Sequence, residues 1–196
     1  MTAIEDLTRL LKRLPGMGEK SATRLSYFLI KSDQSYNKAL ADAISSIKEK
    51  IHPCPICGCY TESEICEYCS SDRRDRSVLC IVEEPQDVIS ISQSGAYNGL
   101  FHVLMGTIDP LNGVGPDQLR FRELSKRIEE GSFREIIIAT NPTEAGDTTA
   151  LYIKHLLKDR SDIEITRLAS GIPIGGDLGY ADKTTLARSL RGRIKL

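Results

Sequence analysis

The chain has 196 residues, 40% of them apolar, and a formal net charge of −1. That length and apolar content support one or two compact domains with a small added module, and the near-neutral charge excludes a globally basic nucleic-acid binder, so any such contact must come from local patches. The start MTAIEDLTRL carries early acids and no apolar stretch of a secretory leader, and no apolar run reaches the ~20 residues needed to span a bilayer, so a cytoplasmic protein with reduced thiols is expected.

Ile4, Leu7, Leu10, Leu11 and Leu14 recur at helical spacing and predict a first amphipathic helix, which Pro15-Gly16-Met17-Gly18 breaks. A second helix follows, with Ala22, Leu25, Phe28 and Leu29 on one face. Lys20 and Arg24, four residues apart, share a face of it beside the break. Glycines at such a turn let backbone N–H groups approach a phosphate at the start of the second helix, where the helix dipole also favours an anion. The plainer alternative is a helical hairpin with a glycine turn and solvated charges. The first 31 residues hold six Lys/Arg against three Asp/Glu, and five Lys/Arg with no acid follow Asp182. A third helix is expected from about Asn37 to Ile51, capped by Asn37 or Ser35. Its stripe of Leu40, Ile44, Ile47 and Ile51 reads as core, and Pro53 leads out of it.

Cys54 and Cys57 form one CxxC pair and Cys66 and Cys69 a second, with eight residues between them. Two tight CxxC turns supply four soft thiolates in pairs, as a tetrahedral Zn²⁺ requires, and reduced surroundings favour metal over disulfides. Gly58 follows the first pair, where the chain must turn sharply. Glu62, Glu64 and Glu67 make the module acidic, which disfavours phosphate contact and suits a structural staple better than a nucleic-acid finger. Cys59 is a possible competing ligand, and Cys80, in an apolar run, reads as an ordinary buried thiol.

From Ser77 onward strands and helices alternate. Val78–Val82 reads as a buried strand ending in Glu83-Glu84, and Pro85–Ser92 as a short helix started by its proline. Leu100–Met105 is a second apolar run. A Gly/Pro-rich loop, 109–116, precedes a helix over about Asp117–Glu130, and Glu135–Ala139 is a third strand. Asp147 is the expected cap of a helix reaching about Lys158, and Ile163–Leu168 is a fourth strand. This order predicts an α/β domain with a mainly parallel sheet and helices on both faces.

Ligands of such sheets bind outside the carboxyl ends of the strands. Glu83 and Glu84 end the first strand, and 140–147 follows the third. A Mg²⁺ site for phosphoryl transfer needs a glutamate at the first place and paired aspartates at the second. The second place offers Asn141 and Thr143, with Glu144 and Asp147 displaced, which gives a metal-site frame without its ligands or, more simply, a polar loop capping a helix. Gly16–Ser21 lacks the spacing and upstream strand of a phosphate-binding P-loop, and His52, His102 and His155 are scattered without a nucleophile.

Taken together, these stretches resemble the RecR family of bacterial recombination mediators. Leu14–Leu25 is similar to its helix-hairpin-helix and the four cysteines to its zinc module. Val82–Asp87 and Ala139–Glu144 are similar to its Toprim domain, and Leu168–Leu178 with Tyr180–Asp182 to its C-terminal Walker-B-like segment, where Gly179 stands in place of a glutamate. The resemblance implies a multi-domain α/β protein: a helix-hairpin-helix DNA-binding domain at 1–52, a four-cysteine zinc module at 53–76, a Toprim domain at 77–170, and a Walker-B-like segment with an oligomerisation helix at 171–196. It implies a non-enzymatic repair factor that acts with RecO and RecF to load RecA on SSB-coated single-stranded DNA. It further implies a ring-like tetramer around single- or double-stranded DNA, bound without sequence preference, and a cytoplasmic, nucleoid-associated protein without membrane contact. One structural Zn²⁺ would sit on Cys54, Cys57, Cys66 and Cys69. Lys20 and Arg24 would face DNA, and Glu83, Glu84, Asn141 and Glu144 would form the partner-docking surface. The alternative is a Mg²⁺-dependent Toprim nuclease or primase-like enzyme using Glu83, Glu144 and Asp147.

Overall fold

The computed structural model describes residues 2–194. They form two units, Met1–Ile51 and His52–Leu196. The first is helical: α1 (Ala3–Leu11), α2 (Glu19–Lys31) and α3 (Gln34–Lys50). Thr2 caps α1 in a reciprocal box, its hydroxyl accepting from the Glu5 N–H at 3.3 Å while Glu5 Oε2 accepts from the Thr2 N–H at 2.8 Å. Across α1 and α2, the buried Thr8 and Ser26 hydroxyls hydrogen-bond at 2.8 Å beside the buried Ala22.

α3 begins earlier than its sequence suggests. Asp33 occupies the cap position, and neither Ser35 nor Asn37 does; the Asn37 side chain instead donates to the Leu29 carbonyl at 2.8 Å. The stripe read as core is not core. No residue of α3 is buried, and Ile44 and Ile47 are 66% and 51% exposed. Helical spacing places apolar residues on one face; it does not supply the element that covers them.

The second unit opens with the short antiparallel pair β1 (His52–Pro53) and β2 (Tyr60–Thr61), then α4 (Glu67–Ser70). β3 (Asp75–Val82), α5 (Pro85–Gln93), β4 (Gly99–Val103), α6 (Phe121–Glu130), β5 (Glu135–Ile138), α7 (Glu144–Leu156) and β6 (Glu164–Arg167) alternate as expected. The four strands form an all-parallel sheet in the order β4-β3-β5-β6. The first crossover moves outward from β3 to β4 and the next returns past it to β5, so right-handed connections place α5 on one face and α6 with α7 on the other. α6 starts at Phe121 rather than Asp117, because Pro116–Gln118 forms a separate 3₁₀ turn. The cap of α7 is Thr143, whose hydroxyl accepts from the Gly146 N–H at 3.1 Å; Asp147 lies in the first turn with other partners.

Alternation along the strands divides the core in two. Leu79, Ile81, Leu100, Leu104, Ile136 and Ile138 pack with Leu124 and Ile128 of α6 and Ala150 and Ile153 of α7. Cys80, Val82, Phe101, Val103 and Ala139 pack with Val88 of α5 and the cysteines of the 54–69 segment. Truncating one of the fully buried residues, such as Ile136 to Ala, costs about 2–5 kcal/mol. After β6 the chain runs through a 3₁₀ turn at Leu178–Tyr180 to α8 (Lys183–Arg191), capped by Asp182, whose Oδ1 accepts from the Thr184 and Thr185 N–H groups at 2.9 Å each. Lys195, part of the basic tail, lies outside the described residues.

Candidate functional site

Three arrangements carry the chemistry. In the first, the break between α1 and α2 is a tight turn. The Met17 N–H donates to the Leu14 carbonyl at 3.1 Å, and Gly16 has φ +74°, a left-handed conformation that side chains disfavour. Gly18 occupies the cap position of α2 without a side-chain cap. A Cβ added at Gly16 or Gly18 would meet no atom within 4 Å, so the turn is open on that side. The N–H groups of Gly18, Glu19, Lys20 and Ser21 have no protein acceptor among the described residues. They lie at the positive end of a 13-residue helix, where an anion is favoured. Lys20 and Arg24 are both exposed and belong to no ion pair among the described residues, while neighbouring Lys12 is held by Glu19. Orphan donors, a dipole and two free cations suit phosphate oxygens, which carry no base identity.

The second arrangement is the cysteine cluster. The Gly58 N–H returns to the Cys54 carbonyl at 2.9 Å and the Cys54 N–H to the Cys59 carbonyl at 2.7 Å, closing the first knuckle, with Gly58 at φ +83°. The second knuckle is the start of α4, where the Cys69 N–H donates to the Cys66 carbonyl at 3.0 Å. The Sγ atoms of Cys54, Cys57, Cys66 and Cys69 all lie within 4.8 Å of one another, and all four residues are buried. A Zn²⁺ with bonds of about 2.3 Å sets sulfurs about 3.8 Å apart, so the donor set fits this metal. Crowded sulfurs compete for protons. The Cys57 thiol is held down to about 7, first by hydrogen bonding with Cys59, whereas Cys69 is pushed up by Cys57 and Cys66. A cation that takes all four as thiolates removes that competition. Cys59 stands outside the set of four, and its N–H donates to Cys57 Sγ at 3.4 Å, a supporting contact to a ligand. Burial raises Cys80 to about 12, which keeps it an inert thiol.

The third arrangement is the carboxyl edge of the sheet. Glu83 is only 7% exposed. Its Oε1 accepts from the Asn141 N–H at 2.8 Å and its Oε2 from the Asn141 side-chain amide at 2.6 Å. Gly146 makes this close approach possible, since a Cβ there would stand 2.1 Å from the Asn141 carbonyl oxygen and 2.8 Å from Glu83 Oε1. Asp147 is equally engaged: Oδ1 accepts from Arg167 at 2.6 Å and Oδ2 from Arg188 at 2.8 Å. The Arg167 hydrogen bond, with Arg188 behind it, holds the Asp147 carboxyl below its ordinary range. Glu84 and Glu144 are exposed, and Glu84 is pushed upward by partial burial and by the neighbouring Asp87 and Glu83 charges. The structure thus joins Glu83 to Asn141 as a closed pair and leaves Glu84 and Glu144 facing solvent. Arg167 and Arg188 escape sequence reasoning because they lie 20 and 41 residues from their partner. With Asn141, Thr140 and the start of α8 they line a cleft of about 480 Å³.

Comparison with known proteins matches the chain along nearly its whole length. Residues 4–48 match the model described as RecR, helix-hairpin-helix; 51–71 that of the RecR four-cysteine zinc finger domain; 77–169 that of the Toprim domain; and 171–194 that of RecR, C-terminal. Recombination protein RecR of Treponema denticola is 57% identical over 195 residues, covering 100% of both chains. That of Treponema pallidum is 53% identical over 191 residues, 97% of this chain and 94% of the relative. That of Acidothermus cellulolyticus is 47% identical over 193 residues, 98% and 96% of the two chains. The zinc-finger match and the sulfur geometry agree: Cys54, Cys57, Cys66 and Cys69 hold one structural Zn²⁺. Among the described residues no helix is long and apolar enough to cross a membrane.

Proposed function

The chain belongs to the RecR family, and from that premise we propose that it is a non-catalytic DNA-binding scaffold of recombinational repair. The observation that carries this reading is the open hairpin, with its unpaired N–H groups beside Lys20 and Arg24. It grips phosphates of single- or double-stranded DNA without reading sequence, so each contact is weak and salt-dependent.

Weak contacts add when copies are linked. The exposed apolar residues Leu40, Ile44 and Ile47 of α3 in one unit, and Leu178, Tyr180 and Leu190 in the other, supply surfaces for a ring-like tetramer that threads DNA. A locally positive lining is enough for such a ring, which accounts for a net charge of −1. The exposed Glu84 and Glu144 form the docking face for RecO, with Glu83 and Asn141 setting the loop that presents them. RecF and RecO together with this scaffold load RecA on SSB-coated single strands, at the nucleoid in the cytoplasm. The absence of enzymatic chemistry is supported by the engagement of Glu83 with Asn141 and of Asp147 with two arginines, partners with which a Mg²⁺ ion would have to compete for these oxygens.

Solution mass measured alone, with RecO, and with DNA tests the assembly and the partnership together. A four-chain mass that shifts with RecO and with DNA is expected. A monomer indifferent to both contradicts it, as does DNA cleavage in Mg²⁺ or Mn²⁺ that disappears in Glu83→Gln.

A further inference from the structure

The two edges of the four-stranded sheet are unlike. β6 is half-open, with Glu164 and Arg167 exposed, whereas every residue of β4 is buried. A parallel sheet with an uncovered edge presents unpaired N–H and C=O groups to any passing strand. Along β4, residues 99, 101 and 103 turn these groups away from β3. The Gly99 carbonyl accepts from Arg74 at 2.9 Å, the Phe101 carbonyl accepts from Arg127, and the Val103 N–H donates to the Cys57 carbonyl at 2.7 Å. Each cap is a metal ligand or an arginine that also touches the zinc module. Arg74 stacks on Tyr68 of α4 with its guanidinium carbon 4.7 Å from the ring centre. Arg127 carries its second fork to within 4.0 Å of Cys69 Sγ. Arg120 donates to the Pro55 carbonyl at 3.1 Å, inside the first knuckle, and its own carbonyl is bonded to His102 of β4 at 3.0 Å.

Gly58 shows how tight this seam is. Beyond its φ of +83°, a Cβ there would stand 3.0 Å from the Arg120 Nε and 3.0 Å from the Val103 carbonyl oxygen. The seam also has an electrostatic logic. Four thiolates and one Zn²⁺ sum to a double negative charge, buried in an apolar cluster with Phe101 and Val103. A buried charge needs a partner, and the partner of a ligand orients it and strengthens its hold on the metal. Arg127, from the body of α6, is the cation that reaches a ligand sulfur among the described residues, while Arg120 donates to the Pro55 carbonyl and pairs with Glu123.

We propose that the zinc module is the cover of the β4 edge, and that Arg127 couples the two by bridging the ligand Cys69 to the Phe101 carbonyl. Metal occupancy then decides whether this sheet edge is closed.

Amide exchange read residue by residue on the full chain, zinc-loaded and zinc-stripped, tests this. The Val103 amide should be strongly protected when zinc is bound and should lose at least tenfold of its protection on stripping, while Ile136–Ile138 of β5 keep theirs. Unchanged protection of Val103, or equal loss in β4 and β5, overturns the edge assignment. Arg127→Gln, kept zinc-loaded, separates coupling from simple unfolding. Its zinc affinity, measured by chelator competition, should fall on the order of 10- to 100-fold, with Arg127→Lys recovering part of the loss because it restores the charge without the bridge. Wild-type zinc affinity in Arg127→Gln overturns the coupling. Neither readout depends on DNA binding, so failure here leaves the scaffold reading intact.

Discussion

The hairpin between α1 and α2 and the carboxyl edge of the sheet are both places where a charged ligand could sit, and they are built oppositely. At the hairpin, donors and cations are left without protein partners: the α2 N–H groups, Lys20 and Arg24 face outward from a turn with open space around its glycines. At the sheet edge, the charged groups are spent on one another. Asn141 takes both oxygens of Glu83, and Arg167 with Arg188 takes both of Asp147. An unpaired donor array is ready for phosphate; a carboxylate hydrogen-bonded through both oxygens is a structural brace. These contacts tie β3 to the loop before α7, and α8 to α7.

The units differ in what holds them, too. The helical one has few buried groups, and the sheet unit has two core clusters and a metal. Cys66→Ala should therefore separate them. Zinc content should drop from one per chain to none, and the loss of structure should fall on the cysteine module and the β4 edge beside it, with β5 still protected. Helical signal from α1–α3 should persist. A single cooperative loss of all structure would merge the two units.

Acid should weaken the same unit selectively. Burial in β4 pushes the His102 imidazole down to about 3, so between its ordinary value and that point the unfolded chain binds a proton that the folded one refuses. Stability is thus fully present above about 6.5 and falls as pH drops, by about 2 kcal/mol at pH 5. Denaturant melts at pH 7 and pH 5 check this, and His102→Gln should remove that part of the slope. Asn141→Ala leaves Glu83 buried without its side-chain donor and should cost about 1–3 kcal/mol by the same measurement, without creating cleavage. Arg188→Ala frees one oxygen of Asp147, but this ion pair is about one-third exposed and screened, so the cost should be about 0.5–1 kcal/mol, seen chiefly as faster amide exchange in α8.

Much of this was readable from residue order. Paired CxxC turns specify a metal because the ligands are local, and the glycine break at 16–18 is equally local. The alternation of strands with helices revealed every strand of the sheet, most clearly β3 and β4, where both faces are covered and the strands carry continuous apolar runs. What was lost is long-range. The apolar stripe of α3 marks a face but not its covering, and it proves exposed. Asp147 looks like a helix cap until Arg167 and Arg188 are brought to it through the fold. Arg74, Arg120 and Arg127 are ordinary basic residues in the sequence, yet they clamp the zinc module, and only Gly58, needing both its positive φ and its missing Cβ, hinted at a crowded seam.

DNA contact is expected at the open hairpin rather than at the carboxyl edge of the sheet, where the charged groups pair with one another. Salt-titrated binding of a labelled single strand to the wild-type chain and to the Lys20→Ala, Arg24→Ala double variant tests it most directly. Affinity should weaken on the order of tenfold at moderate salt and the salt slope should fall by about 2, one for each lost phosphate contact, with zinc content and assembly unchanged. Identical affinity and slope in the two proteins would contradict it.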